Sequence, residues 1–271
     1  GPYPLDQSLA NVFARLDWQL GGGRRLTARN VFAHASNDES PNRSPFEPYE
    51  LSSNAVLRTS TSNATSVQLF TDLGSRGGNE LDFTVQRTTD RTDPVGDFPQ
   101  VEVVLRSPDE SITATRPVRL GAQFYAQQND LAQTSARLTN TLTLARGRST
   151  WTVGAAAAWY DIRQEYLPGA MGDWAFVSWP DVLNNAPQRF QRTVLLDGQS
   201  PAVGFNVAEL GAFAQDQIEI GNLTLRIGFR ADVPFVLDRP EENPRVLAFF
   251  ERSTSNVPSG RPLLSPRIGF N

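Results

Sequence analysis

The sequence has no cysteine and no lysine, and it carries a single histidine, His34. Without cysteine, neither a disulfide nor a thiolate metal site can form. A Ser–His–Asp or Cys–His arrangement would depend on His34 alone, and no G-x-S-x-G elbow occurs. A histidine-rich zinc site is excluded by count. His34 is therefore expected to be an ordinary strand-end residue. All 25 basic residues are Arg, which reads as genome composition rather than a demand for bidentate recognition. No run of about 18 apolar residues exists, so no transmembrane helix is expected; membrane strands stay open, because they are short and alternate. The net charge is −4 with no long basic stripe, which argues against nucleic acid as a partner. Gly 20 and Pro 19 are ordinary counts, and an aromatic content of 10% is too high for a disordered chain. No nucleophile–base signature stands out, so an enzyme is not expected, and neither a metal nor a cofactor is called for.

What the sequence does contain is period-two alternation, the mark of half-buried strands. Val12, Ala14, Leu16, Trp18 and Leu20 share one face, Arg15, Asp17 and Gln19 the other; the turn Gly21-Gly22-Gly23 follows, and a return strand runs from Leu26 to Ala35. The unit recurs. Ser66 to Leu73 leads through the turn 74–78 to Leu81, Phe83 and Val85. Thr134 to Leu144 leads through Arg146-Gly147-Arg148 to Trp151, Val153, Ala155, Ala157 and Trp159. Val207 to Ile218 leads through Gly221-Asn222 to Leu223, Leu225, Ile227, Phe229, Ala231 and Val233, with Thr224, Arg226, Gly228, Arg230 and Asp232 on the opposite face. Four hairpins with short turns result. Between them lie long polar connections, 36–64, 89–132, 163–206 and 234–262, with expected strand extensions at Tyr49 to Arg58, Val101 to Leu105 and Leu120 to Ala126. Asp181 to Asn185, after Pro180, is expected to form one helical turn.

A soluble β-sandwich also alternates. Three features favour a membrane barrel instead. The polar faces carry charge, as at Arg226, Arg230 and Asp232, which suits a wet lumen walled by a ladder of paired charges. Trp18 and Trp151 lie beside short turns, and Trp159 and Tyr160 toward a long connection, where interfacial girdles belong. Short and long connections alternate strictly, as periplasmic turns and extracellular loops do. In lipid every backbone N–H and C=O must be paired within the sheet, so strands span only as a closed barrel. The chain thus reads as all-β, an antiparallel transmembrane β-barrel, with residues 1–271 forming one structural unit of about nine strands. Both ends, abrupt Gly1-Pro2 and Asn271 within a strand, are expected to be cuts, which makes the chain roughly half of a large barrel. An open sheet of this kind is expected to aggregate in water.

From Glu209 to Gln217 (ELGAFAQDQ) and from Gly221 to Pro234 (GNLTLRIGFRADVP) the pattern resembles a barrel hairpin of TonB-dependent receptors. Asn256 to Gly260, Leu264 to Phe270, Asn79-Glu80-Leu81, Asn129-Asp130, and Arg146-Gly147 before Trp151 to Gly154 extend the likeness, in this order resembling the Oar-like subgroup. The resemblance implies a 22-stranded barrel in the bacterial outer membrane. It implies an N-terminal plug, a carboxypeptidase-regulatory-like domain ahead of that plug, and uptake of an unidentified extracellular solute powered through TonB. Plug and TonB box are absent from this sequence. The expected partners are outer-membrane lipid, the TonB system acting through the missing plug, and the solute.

The best ligand-facing material is the connection 163–206, where Trp174, Phe176 and Trp179 cluster. Exposed aromatics there can stack on sugars, peptides or chelates; equally, they can pin the loop onto the barrel. The same aromatics keep a second function open, an extracellular adhesion or carbohydrate-binding β-domain. Asn37-Asp38-Glu39 and Glu241-Glu242-Asn243 supply oxygens but no known calcium-loop spacing. The N-x-S/T triplets at Asn42, Asn63 and Asn222 carry no meaning in a bacterial outer-membrane protein.

Overall fold

A computed structural model describes residues 5–42, 47–106, 115–196 and 199–271. The Gly1-Pro2 start and the last two residues of the Asn42 triplet lie outside the described residues. In chain order the strands are β1 (Gln7–Gly21), β2 (Arg24–Glu39), β3 (Tyr49–Glu50), β4 (Val56–Asp72), β5 (Gly77–Pro94), β6 (Gln100–Arg106), β7 (Thr115–Leu120), β8 (Asn129–Arg146), β9 (Ser149–Tyr166), β10 (Asp173–Phe176), β11 (Arg189–Gln191), β12 (Ala202–Ile220), β13 (Leu223–Val236) and β14 (Leu263–Phe270). Two short helices, α1 (Trp179–Leu183) and α2 (Pro244–Phe250), lie in the connections.

Nine strands form one open wall in the order β1-β2-β4-β5-β8-β9-β12-β13-β14, every neighbouring pair antiparallel. The four short turns fall where the alternation puts them. The register shows why this is one wall with two unlike faces. Directly opposed residues of an antiparallel pair point to the same side. Following the pairs Leu16↔Ala28, Ala28↔Val67, Val67↔Phe83, Phe83↔Leu138, Leu138↔Ala157, Ala157↔Leu210, Leu210↔Val233 draws an apolar row across eight strands. The alternate rows carry Arg15, Asp17, Arg29, Gln68, Glu80, Asp82, Gln86, Arg226, Arg230 and Asp232. A one-residue slip anywhere would mix the two faces, so the pattern itself fixes the register.

The apolar face has nothing packed against it. Leu16 is 60% exposed, Phe83 and Leu138 45%, Phe229 49%. Such a continuous apolar surface calls for a non-aqueous surrounding. On β9 the face is framed by Trp151 and Trp159, eight positions apart. At about 3.3 Å per residue and a tilt of 35–45°, that spacing gives roughly 20 Å of height, close to the apolar band of an outer-membrane barrel. Wall strands such as β8 and β9, with 18 residues each, exceed the roughly 9–11 needed to cross a bilayer. They therefore stand well above it on the side of the long connections.

Those connections do not remain loops. β3, β6, β7, β10 and β11 assemble into a second sheet, order β11-β10-β6-β7-β3, with β10/β6 and β3/β7 parallel. Among the described residues, most of the buried apolar side chains belong to this cap or its junction with the wall: Ala55, Val56, Val103, Ala122, Ala126 and Phe176. Val101 to Leu105 is a strand as expected. Leu120 to Ala126 is not: β7 stops at Leu120, Gly121 takes φ +84, and Phe124–Ala126 is a 3-10 turn. The cause is local, because the Gln123 side chain accepts hydrogen bonds from the Tyr125 and Ala126 amides and so captures donors a strand would use. Tyr49 to Arg58 is likewise split, by a 3-10 turn at Ser52–Asn54.

Gly77 opens β5 at φ +129, and a Cβ there would lie 1.9 Å from the Thr143 carbonyl oxygen. Only glycine allows β5 and β8 to pair this close to the turn. Gly77→Ala is expected to destabilise the wall by about 1–3 kcal/mol; an unchanged denaturant midpoint of the lipid-inserted protein would show that the turn relaxes freely.

Candidate functional site

The polar face of the wall is a set of closed charge and amide pairs. Arg15 grips Asp17 through Nε and Nη2, at 2.7 and 2.9 Å, and Thr27 donates to the same carboxylate at 2.6 Å. Arg29 donates to Gln68, which donates to Glu80. Arg230 forms the same fork on Asp232, both contacts at 2.7 Å, with its guanidinium 5.9 Å from the Phe213 ring centre. Phe213 lies over Gly154, where a Cβ would meet the ring at 2.5 Å. Arg226 donates to Gln217 at 2.9 Å. Half-exposed pairs of this kind add little stability. They keep one face wettable.

His34 sits inside β2, not at its end, and pairs with the Thr61 hydroxyl at 2.9 Å. Neither acidic stretch gathers into an ion-binding loop. Glu39 pairs with Arg58, Glu242 accepts from Ser253, and Asn243 caps α2.

Above the polar face, the cap is held by a buried polar ladder. Asp173, 2% exposed, accepts from Gln100 at 2.9 Å, Arg189 at 2.9 Å and Gln191 at 3.1 Å. Gln100 in turn accepts from the Phe124 amide and from Asn54, and Asn54 also donates to the Gly121 carbonyl. Gln127 bridges Ala122 and Gly172 and accepts from the Met171 amide. Three connections that are far apart in sequence are thereby tied into one body.

The three aromatics singled out from the sequence part company here. Phe176, in β10, is 7% exposed and faces the cap interior. Trp174 is half-buried, packed against Phe190 at 4.2 Å between centroids and stacked on Phe176 at 6.4 Å. Trp179 opens α1 and is 54% exposed. The helical turn there is close to the expected 181–185 and is capped by Ser178, whose hydroxyl bonds the Asp181 carboxylate at 2.7 Å.

Between cap and wall, on the polar-face side, lies a cavity of 260 Å³. Glu39 and Arg58 line it from the wall; Glu50, Asn54, Gln123 and Tyr125 line it from the cap. Glu39 and Arg58 meet at 2.7 Å, and Glu50 accepts from the Asn42 amide at 2.6 Å. Tyr125 is 59% exposed and stands edge-on to Phe124 at 5.1 Å. Apart from Glu39, which stands in the acidic stretch 37–39, sequence reading missed these residues, because the wall strands and the cap that carry them are brought together only by the fold. The one available signal was the recurrence of Gln123, Gln127 and Gln128 in an otherwise apolar stretch.

A family model described as outer membrane beta barrel domain matches residues 3–267. No match is found among curated proteins. Among solved structures, the outer membrane transporter YddB of Escherichia coli superposes with a TM-score of 0.60 at 11% identity, covering 98% of this chain and 29% of that one. BauA, the ferric preacinetobactin receptor of Acinetobacter baumannii, gives 0.50 at 10%, with 98% and 37% covered. Fiu, the ferric-catecholate import receptor of E. coli K12, gives 0.50 at 12% in its closed form, with 98% and 40% covered. At such identities the likeness is one of fold. The chain spans less than half the length of each of these three proteins. The soluble sandwich is set aside: the unpacked apolar face of the wall is the face turned to lipid.

Proposed function

The chain belongs to the outer-membrane β-barrel domain family and resides in the bacterial outer membrane, and we propose that it supplies wall and mouth of a receptor that draws an extracellular solute inward. The observation that carries this reading is the folded cap: three long connections make one sheet over the polar face and enclose a cavity there. A plain diffusion pore needs no such roof, whereas a receptor needs a shaped surface to select its solute before passage. The polar face, where Arg15–Asp17, Arg58–Glu39 and Arg230–Asp232 are paired, then offers a wet path. BauA and Fiu, described as receptors for iron chelates, lend the fold a precedent for capture.

Energy for inward movement is proposed to come through TonB acting on a plug, and the segments quoted above suggest the Oar-like type. Coding sequence upstream is then expected to encode a plug and a carboxypeptidase-regulatory-like domain. Solute accumulation by cells should vanish with a protonophore or on loss of TonB. Accumulation that is equal with and without energy would leave a passive pore and sink the coupled-receptor reading.

A further inference from the structure

We propose that the cavity between cap and wall is a sugar-binding subsite, taking one ring of a short neutral glycan as the solute's first docking point. This rests on the receptor reading, and it names the substrate class.

Size comes first. At 260 Å³ the cavity lies below the roughly 300–1,000 Å³ of sites for drug-sized ligands. It has room for a single ring-sized group. Charge comes second. The lining offers Glu39 and Glu50 against Arg58, and Arg58 is already held by Glu39 at 2.7 Å, so an anionic chelate finds no free cation among the described residues of the lining. Hydrogen-bonding chemistry comes third. A carboxylate has about four acceptor positions. Glu39 gives one oxygen to Arg58, and Glu50 receives the Asn42 amide, with Arg119 3.9 Å away. Both keep acceptor capacity for hydroxyl donors. The Glu39–Arg58 pair presents an acceptor and a donor fork side by side, which matches two neighbouring hydroxyls on a ring.

Asn54 adds an independent observation. It is 2% exposed, its amide nitrogen is committed to Gln100 and Gly121, and its Oδ1 is buried without a donor among the described residues. A buried acceptor left unpaired costs about 1–3 kcal/mol. Asn54 lines the cavity, so a ligand hydroxyl that reached this acceptor would offset that cost. Tyr125 completes the site. Its backbone turn is fixed by the Gln123 side chain, which accepts from the Tyr125 and Ala126 amides at 2.8 and 2.9 Å, and the ring it carries is exposed. An exposed aromatic face on a fixed turn, beside carboxylate and amide groups, is the arrangement that grips the apolar face and the hydroxyl rim of a sugar together.

The test uses outer-membrane vesicles from cells making the protein at its natural length. The probes are malto-, cello-, manno- and N-acetylchitotriose, a ferric tris-catecholate and tetra-alanine. At least one triose is expected to bind with Kd under about 1 mM. Tyr125→Ala and Glu39→Gln should each weaken it tenfold or more, Tyr125→Phe should retain it, and Trp179→Ala should leave it unchanged. Protease resistance equal to the parent establishes that each variant is folded. Absence of triose binding, or binding indifferent to Tyr125→Ala, overturns the proposal, as does Tyr125-dependent binding of tetra-alanine or the catecholate alone. Energy-dependent uptake of the catecholate without triose binding removes this subsite and keeps the receptor; triose binding without energy-dependent uptake of any probe keeps the subsite and removes the receptor.

Discussion

Phe83→Arg is expected to prevent stable insertion of the wall, while Gln86→Arg, three residues along the same strand, is expected to be tolerated. Phe83 lies on β5 midway between Asn79 and Arg87, flanked by Leu81 and Val85 and opposed by Val67 and Leu138. Every one of these belongs to the apolar row. A guanidinium at the mid-depth of a lipid-facing row costs about 2–4 kcal/mol, and loss of the lipid-facing ring adds to this. Gln86 sits on the opposite face, beside the Ser62 and Thr88 hydroxyls, where water solvates an added charge. Denaturant unfolding in lipid vesicles measures both. Equal midpoints for the two variants would mean that the apolar row does not face lipid, and the whole assignment of faces would fail.

Asp173→Ala is expected to open the cap without loosening the wall. The substitution strands Gln100, Arg189 and Gln191 together. Hydrogen bonds to a charged group are worth about 1.5–3 kcal/mol each. The Arg189 share must be discounted, because that side chain is 55% exposed and water replaces its partner. A net loss of about 3 kcal/mol, or roughly a hundredfold in local opening, follows. Amide exchange should quicken over β6, β10 and β11 and stay unchanged in β8 and β9. Asp173→Asn keeps acceptor geometry and should fall between. Unaltered exchange in β6 would show that the ladder contributes no cohesion.

How far the sequence disclosed this architecture depended on solvent contrast. Where one side of a strand meets lipid and the other water, alternation is strong: Leu223 to Val233 was legible almost residue for residue, against β13 at Leu223–Val236. β9 was legible only to Trp159, though it runs to Tyr166. Beyond Trp159 come Asp161, Arg163, Gln164 and Glu165, because both faces of the strand are wet there and the pattern that betrays a strand disappears. The cap was less accessible still. Its strands are as short as the two residues of β3, and two of its pairings are parallel, between distant segments. The aromatic run at 174–179 drew attention as a site, yet Phe176 serves cap packing. The charged and amide groups around the cavity come from separate stretches that only the fold brings together.

The cap also dictates an order of events in time. Gln100 and Asp173 are 73 positions apart, and Asn54 and Gly121 are 67 apart. Closing such spans in a free chain is entropically costly and slow. Once the wall has zipped, neighbouring strands stand about 4.8 Å apart, and the bases of the connections are already gathered. Each hairpin is expected to form first, the wall second and the roof last, an order that pulse-labelled amide exchange during refolding would read. Newly made molecules therefore pass through an unroofed stage, and the surface they finally present to the outside world is the last part of the chain to take shape.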